Sequence, residues 1–413
     1  MSLHNGKSDH NKGTSLAEAI NLASSANLNI LHSKSLKLKK INPRLFFGSG
    51  MLGELKAISS KLKVKLLYIN SNISPTQQKN IENFMKLKVV DRTGLILEIF
   101  SLRARSKQGK VQVELAQLEY YKSRLVKSWT HLERQRGGMT FIGGPGETQI
   151  EIDRRLISTR ISKLKKELKK INSRYLLQRN TRKKTENSNI VLVGYTNTGK
   201  STLFNSMTKS EIYADNKLFA TLDPISRKLI LSNDKSIVIT DTVGFISNLP
   251  TELIEPFKAT LSEIINADLI LHVHDISNKN WRIQKDKVIE ILQQIGADTH
   301  SPGKILDIYN KIDLLDDMEI EELTNKYTES KSMVAVSAMK KISLDLLLNK
   351  IVRFFDKQTK TVNLKLKYTE NDKIAWLYRN TSVLENNNIN KKYLNLKVRI
   401  NKISHQKYLK YFN

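Results

Sequence analysis

The sequence predicts an α/β protein. Its central domain has a mostly parallel sheet with helices on both faces. A small βα domain with a long antiparallel helical hairpin precedes it, and a small α+β domain follows. Three observations predict this. A glycine-bounded loop, Gly194 to Ser201, stands between an apolar β-branched run and a helix start. Further apolar runs follow it, three of them leading directly into short polar motifs. Ahead of it, Ile157, Ile161, Leu164, Leu168, Ile171 and Tyr175 are spaced by 4, 3, 4, 3 and 4 residues, which is a heptad seam.

The elements follow in chain order. Residues 1–14 are polar and are expected to be disordered, with no strand. Residues 15–109 read as the βα domain. Its helices are expected at Leu16–Ala26 and Met51–Ser60, and its strands at Arg44–Phe47, Lys65–Ile69 and Lys88–Val90. Ser74-Pro75 supplies a cap and a first-turn proline for another helix. Residues 110–187 read as the hairpin. Val111, Leu115, Leu118 and Leu125 mark one helix and the heptad seam marks the other. The joining loop holds Gly137-Gly138 and Gly143-Gly-Pro-Gly-Glu-Thr-Gln149, more glycine than a helix turn requires. Residues 359–413 alternate in two stretches, from Val362 and from Tyr393, and form the α+β domain.

Residues 188–358 carry the chemistry. Asn189–Val193 reads as a buried parallel strand and Ser201–Met207 as a helix, so Gly194-Tyr-Thr-Asn-Thr-Gly-Lys-Ser201 is a complete phosphate-binding loop. Successive N–H groups there meet phosphate oxygens at a helix N-terminus. Tyr195, Thr196, Asn197, Thr198 and Thr202 complete the contact set. Lys200 is placed for the β- and γ-phosphates and the Ser201 hydroxyl for Mg²⁺. Asp241 ends the strand run 236–240 and is expected to hold the same Mg²⁺ through water. Thr242 and Val243 lead to Gly244, whose N–H faces a γ-phosphate. Phe219-Ala220-Thr221 lies between these motifs, and the Thr221 hydroxyl is a further Mg²⁺ ligand. Lys200, Thr221 and Gly244 are the candidate catalytic residues. Asn310-Lys311-Ile312-Asp313 follows a strand at 304–309. The Asp313 carboxylate accepts two N–H donors that guanine presents and adenine does not. Ser337-Ala338, after a strand at 333–336, supports the base. These motifs point to GTP and GDP as ligands.

Charge is placed unevenly. The 413 residues carry a formal +29. Residues 188–358 hold 20 Lys and Arg against 23 Asp and Glu, whereas residues 1–187 hold 37 against 14 and residues 359–413 hold 12 against 3. A near-neutral nucleotide domain between basic flanks suits a polyanionic partner such as RNA, or else a lysine-rich solvated surface. The absence of cysteine excludes disulfides and thiolate metal sites. No apolar run approaches the roughly 18 residues of a membrane span, and the start is no signal peptide, so a cytoplasmic monomer is expected. His272 and His274 alternate on a strand at 269–274. They read as ordinary sheet histidines, because no carboxylate spacing completes a metal site.

The chain resembles the HflX family of bacterial ribosome-associated GTPases from about residue 15 to 360. The resemblance rests on Asp91–Phe100, Val113–Tyr120, Trp129–Gln135, Gly144-Pro-Gly-Glu-Thr-Gln149, Asp153-Arg-Arg155, the phosphate loop, Ala220–Pro224 and Asp241–Ile246. It implies binding to the large ribosomal subunit and ribosomal RNA, with separation of stalled or idle ribosomes under stress. Related GTPases use an asparagine at the Asn197 position to bind K⁺. Two departures stand out. The additional first strand of the family is not visible in residues 1–13, and Gly143 stands where the family has arginine. Phe245 occupies the place of the glutamine that orients water in Ras-like enzymes. Two other readings share some of these features: a GTPase for ribosome assembly or RNA modification, and a nucleotide-independent RNA-binding module.

Overall fold

The computed structural model describes residues 2–4, 11–38, 40–135, 149–184, 188–210, 218–231, 236–246, 261–301, 303–328, 330, 332–357, 359–390 and 392–401. The hairpin-tip residues singled out above, Gly137, Gly138 and Gly143 to Thr148, lie outside them, as does the side chain of Tyr175.

The N-terminal region comprises β1 (Ser2–His4), α1 (Asn11–Ser25), β2 (Ser35–Lys37), α2 (Ser49–Lys61), β3 (Leu66–Ile69), α3 (Pro75–Met85), β4 (Lys88–Asp91) and α4 (Arg92–Arg103). Two expectations are corrected here. Residues 1–14 are not wholly disordered: β1 pairs in parallel with β2, Leu3 opposite Leu36, and α1 already begins at Asn11. A three-residue strand is too short to carry a two-residue period, which is why the sequence hid it. Arg44–Phe47 is a turn rather than a strand. Asn42 Oδ1 accepts from the N–H groups of Arg44 (2.8 Å) and Leu45 (3.0 Å), and Asn42 and Phe46 form an isolated bridge. An asparagine before proline sets such a turn. The cap at Ser74 forms as expected: Ser74 Oγ accepts from Gln77 N–H, and Gln77 Oε1 accepts from Ser74 N–H.

The hairpin pairs α5 (Lys107–Gln135) with α6 (Gln149–Lys184). Val111 and Leu115 pack against Ile161, Leu164 and Leu168, the predicted seam. Ion pairs run antiparallel, Lys107 to Glu167 at 3.2 Å and Glu114 to Arg160 at 2.6 Å.

The central sheet contains β5 (Ser188–Gly194), β6 (Ile225–Ile230), β7 (Ser236–Asp241), β8 (Leu269–Asp275), β9 (Ile305–Asn310) and β10 (Met333–Ala335). Its order is β10-β9-β8-β5-β7-β6, with only β6 antiparallel. Among the helices are α7 (Lys200–Thr208), α8 (Trp281–Gln294), α9 (Asp317–Thr328) and α10 (Leu344–Lys357). Alternation along β5 divides two cores. Ile190 and Leu192 face α7 and α10, while Val191 and Val193 face the side covered by α8 and the N-terminal helices. Beyond the sheet, β11 (Thr359–Lys367), α11 (Asn371–Asn380), β12 (Ser382–Asn390) and β13 (Tyr393–Asn401) form an antiparallel sheet in the order β11-β13-β12. The core of this α+β unit joins Leu377 of α11 to Leu366, Leu394, Leu396, Val398 and Ile400.

A buried cluster sits on β8. Register places Asp307 of β9 opposite His272, so the carboxylate that sequence spacing did not offer comes from the next strand. His274 Nε2 lies 2.8 Å from Asp307 Oδ1, and Lys285 Nζ lies 2.6 Å from Oδ2. Burial raises the Asp307 pKa, but the bonds from His274 and Lys285 outweigh it and hold the group at about 2. Its charge is therefore already paired. Neither ring nitrogen of His272 has a hydrogen-bond partner. Burial, then His274, holds His272 well below the usual histidine range, so the folded state refuses a proton that the unfolded chain accepts. That costs stability below about pH 6.5, at up to about 1.4 kcal/mol per pH unit. Thermal melts at pH 7.5 and 5.5 check this. The melting temperature of His272→Leu is expected to fall less on acidification than that of the parent chain; an equal fall in both excludes His272 as a source of acid lability.

Candidate nucleotide-binding site

The phosphate loop leaves β5 at Gly194 and enters α7 at Lys200. Two glycines are fixed by crowding as well as by backbone angle. At Gly194 (φ 155°) a Cβ would lie 2.3 Å from the Val273 carbonyl oxygen. At Gly199 (φ 89°) it would lie 2.3 Å from Asn310 Nδ2. Asn197 turns the loop at φ 61°, with its side chain exposed. Thr198 Oγ1 donates to the Tyr195 carbonyl at 3.0 Å. Lys200 Nζ is buried and donates to the carbonyls of Tyr195 (2.7 Å) and Gly194 (3.2 Å). Burial lowers its pKa to about 8, a cost that a bound polyphosphate offsets.

The Asp-x-x-Gly segment lies against this loop. Thr196 N–H donates to the Phe245 carbonyl (2.7 Å), and Phe245 N–H donates to the Gly194 carbonyl (3.1 Å). A Cβ on Gly244 would meet Thr196 Cα at 2.9 Å and Lys200 Nζ at 3.0 Å, so only glycine allows the approach. Thr242 Oγ1 donates to the Leu192 carbonyl at 2.6 Å. Val243 and Phe219 are buried, leaving their backbone as the part that can serve a ligand. Phe245 is buried as well and cannot orient a water.

Three predicted metal ligands come together. Ser201 Oγ donates to Asp241 Oδ2 at 2.6 Å, Thr221 Oγ1 donates to the same oxygen at 3.1 Å, and the two hydroxyls are 2.8 Å apart. Thr221 lies on the loop before β6. Burial raises the Asp241 pKa, and its Oδ1 is buried without a hydrogen-bond partner. The Ser201 and Thr221 hydroxyls, 2.8 Å apart, match an octahedral edge with metal bonds of about 2.1 Å, and the Asp241 carboxylate bonded to both suits a role through water, so this donor set fits Mg²⁺.

The base-side residues form a brace. Asn310 Nδ2 donates to the Thr198 carbonyl (2.8 Å), and Asn310 Oδ1 accepts from Ala338 N–H (2.9 Å). Asn310 thereby ties the phosphate loop to the Ser337-Ala338 loop. Ser337 Oγ donates to Asp313 Oδ1 at 2.5 Å, and Lys311 Nζ pairs with Asp275 at 2.7 Å. Ser206 of α7 donates to the Ala338 carbonyl at 2.7 Å.

Sequence reading missed the residues that join this site to the N-terminal region. Tyr195 OH donates to Glu18 Oε2 (3.0 Å), and Glu18 Oε1 pairs with Arg92 (2.5 Å). Leu218 N–H donates to Ser25 Oγ (2.9 Å), and Phe219 packs edge-on against Phe100. Asp223 accepts from the first residues before α5. The one signal in the sequence was Ser106, a cap-type residue directly ahead of α5. Partners separated by more than 70 positions leave no periodic trace.

Comparison with known proteins agrees with this geometry. Residues 189–311 match a family described as "50S ribosome-binding GTPase". Residues 13–101 match "GTP-binding GTPase N-terminal" and residues 103–182 match "GTP-binding GTPase Middle Region". GTPase HflX of Magnetococcus marinus is 42% identical over 370 residues, covering 90% of this chain and 84% of that one. GTPase HflX of Escherichia coli is 42% identical over 304 residues, covering 74% and 70%. Among solved structures, a GTP-binding protein from Sulfolobus solfataricus in complex with GDP is 28% identical, covering 82% of this chain and 94% of that one, at a TM-score of 0.43. Identity of 42% across nine-tenths of the chain places this protein in the HflX family of GTPases.

Proposed function

We propose that this GTPase binds the large ribosomal subunit and its RNA, and that the GTP cycle drives it to separate stalled or idle ribosomes during stress. The observation that carries the reading is the near-neutral GTPase domain set against basic flanks, most visibly α6. Residues 155–187 hold 12 basic and 2 acidic side chains. The description of the family that matches residues 189–311 points the same way. Among the described residues no helix is long and apolar enough to cross a membrane. The protein works in the cytoplasm as a monomer, partly bound to ribosomes. We divide it functionally at 15–109, 110–187, 188–358 and 359–413, the hairpin being the part that reaches RNA.

At the site, Lys200 holds the β- and γ-phosphates and the loop amides from Gly194 to Ser201 cradle them. Ser201 and Thr221 would hold Mg²⁺ directly, and Asp241 through water; when bound, the ion would supply positive charge against that of the transferred phosphoryl group. Gly244 N–H contacts the γ-phosphate, and Asp313 reads guanine while Ser337-Ala338 supports the base. Asn197 would help hold K⁺ beside the phosphates. Phe245 is apolar and buried and does not orient the attacking water, so turnover is slow alone and faster on the ribosome.

Sedimentation with ribosomes in GTP analogue and in GDP tests the function. Dissociation of whole ribosomes with the analogue is expected. Binding only to immature particles selects an assembly or RNA-modification factor, and binding indifferent to nucleotide selects a plain RNA-binding module. GTPase assays test the site. Asp313→Asn is expected to weaken GTP binding about tenfold or more, from the loss of charge-assisted bonds; an intact preference for GTP removes Asp313 as the base reader. Equal rates in K⁺ and Na⁺ remove the Asn197 ion.

A further inference from the structure

We propose that Asp223 is a positioning residue for GTP hydrolysis, fastening the segment that carries Thr221 to the residues that start α5. The proposal rests on the reading of Thr221 as a magnesium ligand. Asp223 Oδ2 accepts from the N–H groups of Arg105 (2.9 Å) and Ser106 (2.8 Å), and Oδ1 accepts from Ser106 Oγ (2.5 Å). Ser106 Oγ itself accepts from Gly109 N–H at 2.9 Å. One carboxylate thus holds the two residues just ahead of α5, while Ser106 Oγ satisfies the Gly109 N–H of the first turn, at a helix end where negative charge is favoured.

Gly109 makes room for it. A Cβ there would lie 2.2 Å from Asp223 Oδ1. The other end of the segment is held as well. Leu218 N–H donates to Ser25 Oγ, Phe219 rests on Phe100 at 4.8 Å between centroids, and Leu222 is buried in the same core. Residues 218–223 are therefore fastened to α1, α4 and the start of α5, while Thr221 between these anchors donates to Asp241. Whatever draws Thr221 toward the metal pulls on α5. At 1.5 Å per residue its 29 residues make a lever about 43 Å long. A shift in how α5 is seated in turn changes how readily Thr221 completes the metal site.

The test is GTP hydrolysis by the full chain across a Mg²⁺ titration, with GDP affinity measured in parallel. Asp223→Ala removes the acceptor. Gly109→Ala displaces the carboxylate from the far side without touching the nucleotide, and alanine is the better helix former, so α5 stays folded. Each variant is expected to raise the half-saturating Mg²⁺ concentration at least about fivefold, the lower end of couplings between linked sites, with GDP affinity unchanged. The double variant is expected to show no more than either single one, because both break one contact. An unchanged Mg²⁺ requirement in either single variant, or effects that add in the double, overturns the proposal. Thr221→Ala separates the two levels. If it leaves the Mg²⁺ requirement unmoved, the ligand reading itself fails. If it raises the requirement while Asp223→Ala and Gly109→Ala do not, only the positioning role fails.

Discussion

A single apolar core runs from α1 and α4 of the N-terminal region, through Tyr195, Phe219 and Phe245 of the nucleotide loops, to the sheet face under α8. Most of the arrangement depends on it. Apolar interiors are close-packed, and side chains in them change place in discrete steps rather than by small drift. A phosphate loop, the segment 218–223 and an N-terminal helix that share one core are therefore not free to move independently. Polar ties at its edge, Glu18 to Tyr195 and Ser25 to Leu218, fix the register of the contact.

This explains the identity of Phe245. A glutamine there would bring a polar amide into a fully buried position, at a cost of several kcal/mol unless it is bonded. Phe245 instead fills the core with its ring, while its backbone clamps Gly194 and Thr196. The residue gives up water positioning and gains a rigid link between the phosphate loop and the N-terminal helices.

The central sheet and its motifs were legible because each motif ends a buried strand, and buried strands read as short β-branched runs. The hairpin was legible because its seam repeats every 3.5 residues on average, and Leu115, Leu164 and Leu168 meet as the spacing required. Ser201, Thr221 and Asp241 were legible as candidate Mg²⁺ donors by residue type, whereas the convergence of their oxygens within about 3 Å is a tertiary fact. Hidden features were of two kinds. Ser2–His4 is too short for a pattern, and the turn at Asn42 depends on a local side-chain bond that competes with an apparent strand. The Asp307 carboxylate beside His272 and the Asp223 carboxylate beside Ser106 come from distant segments, and single-sequence spacing does not carry such pairings.

The central claim is that the N-terminal helices and the nucleotide loops form one cooperative body. Hydrogen–deuterium exchange of the full chain, compared between GTP analogue and GDP, tests it most directly. The account predicts that exchange in α4 and in the first turns of α5 changes together with residues 218–223. A change confined to the loops between Gly194 and Ile246, with α4 and α5 unaffected, contradicts it.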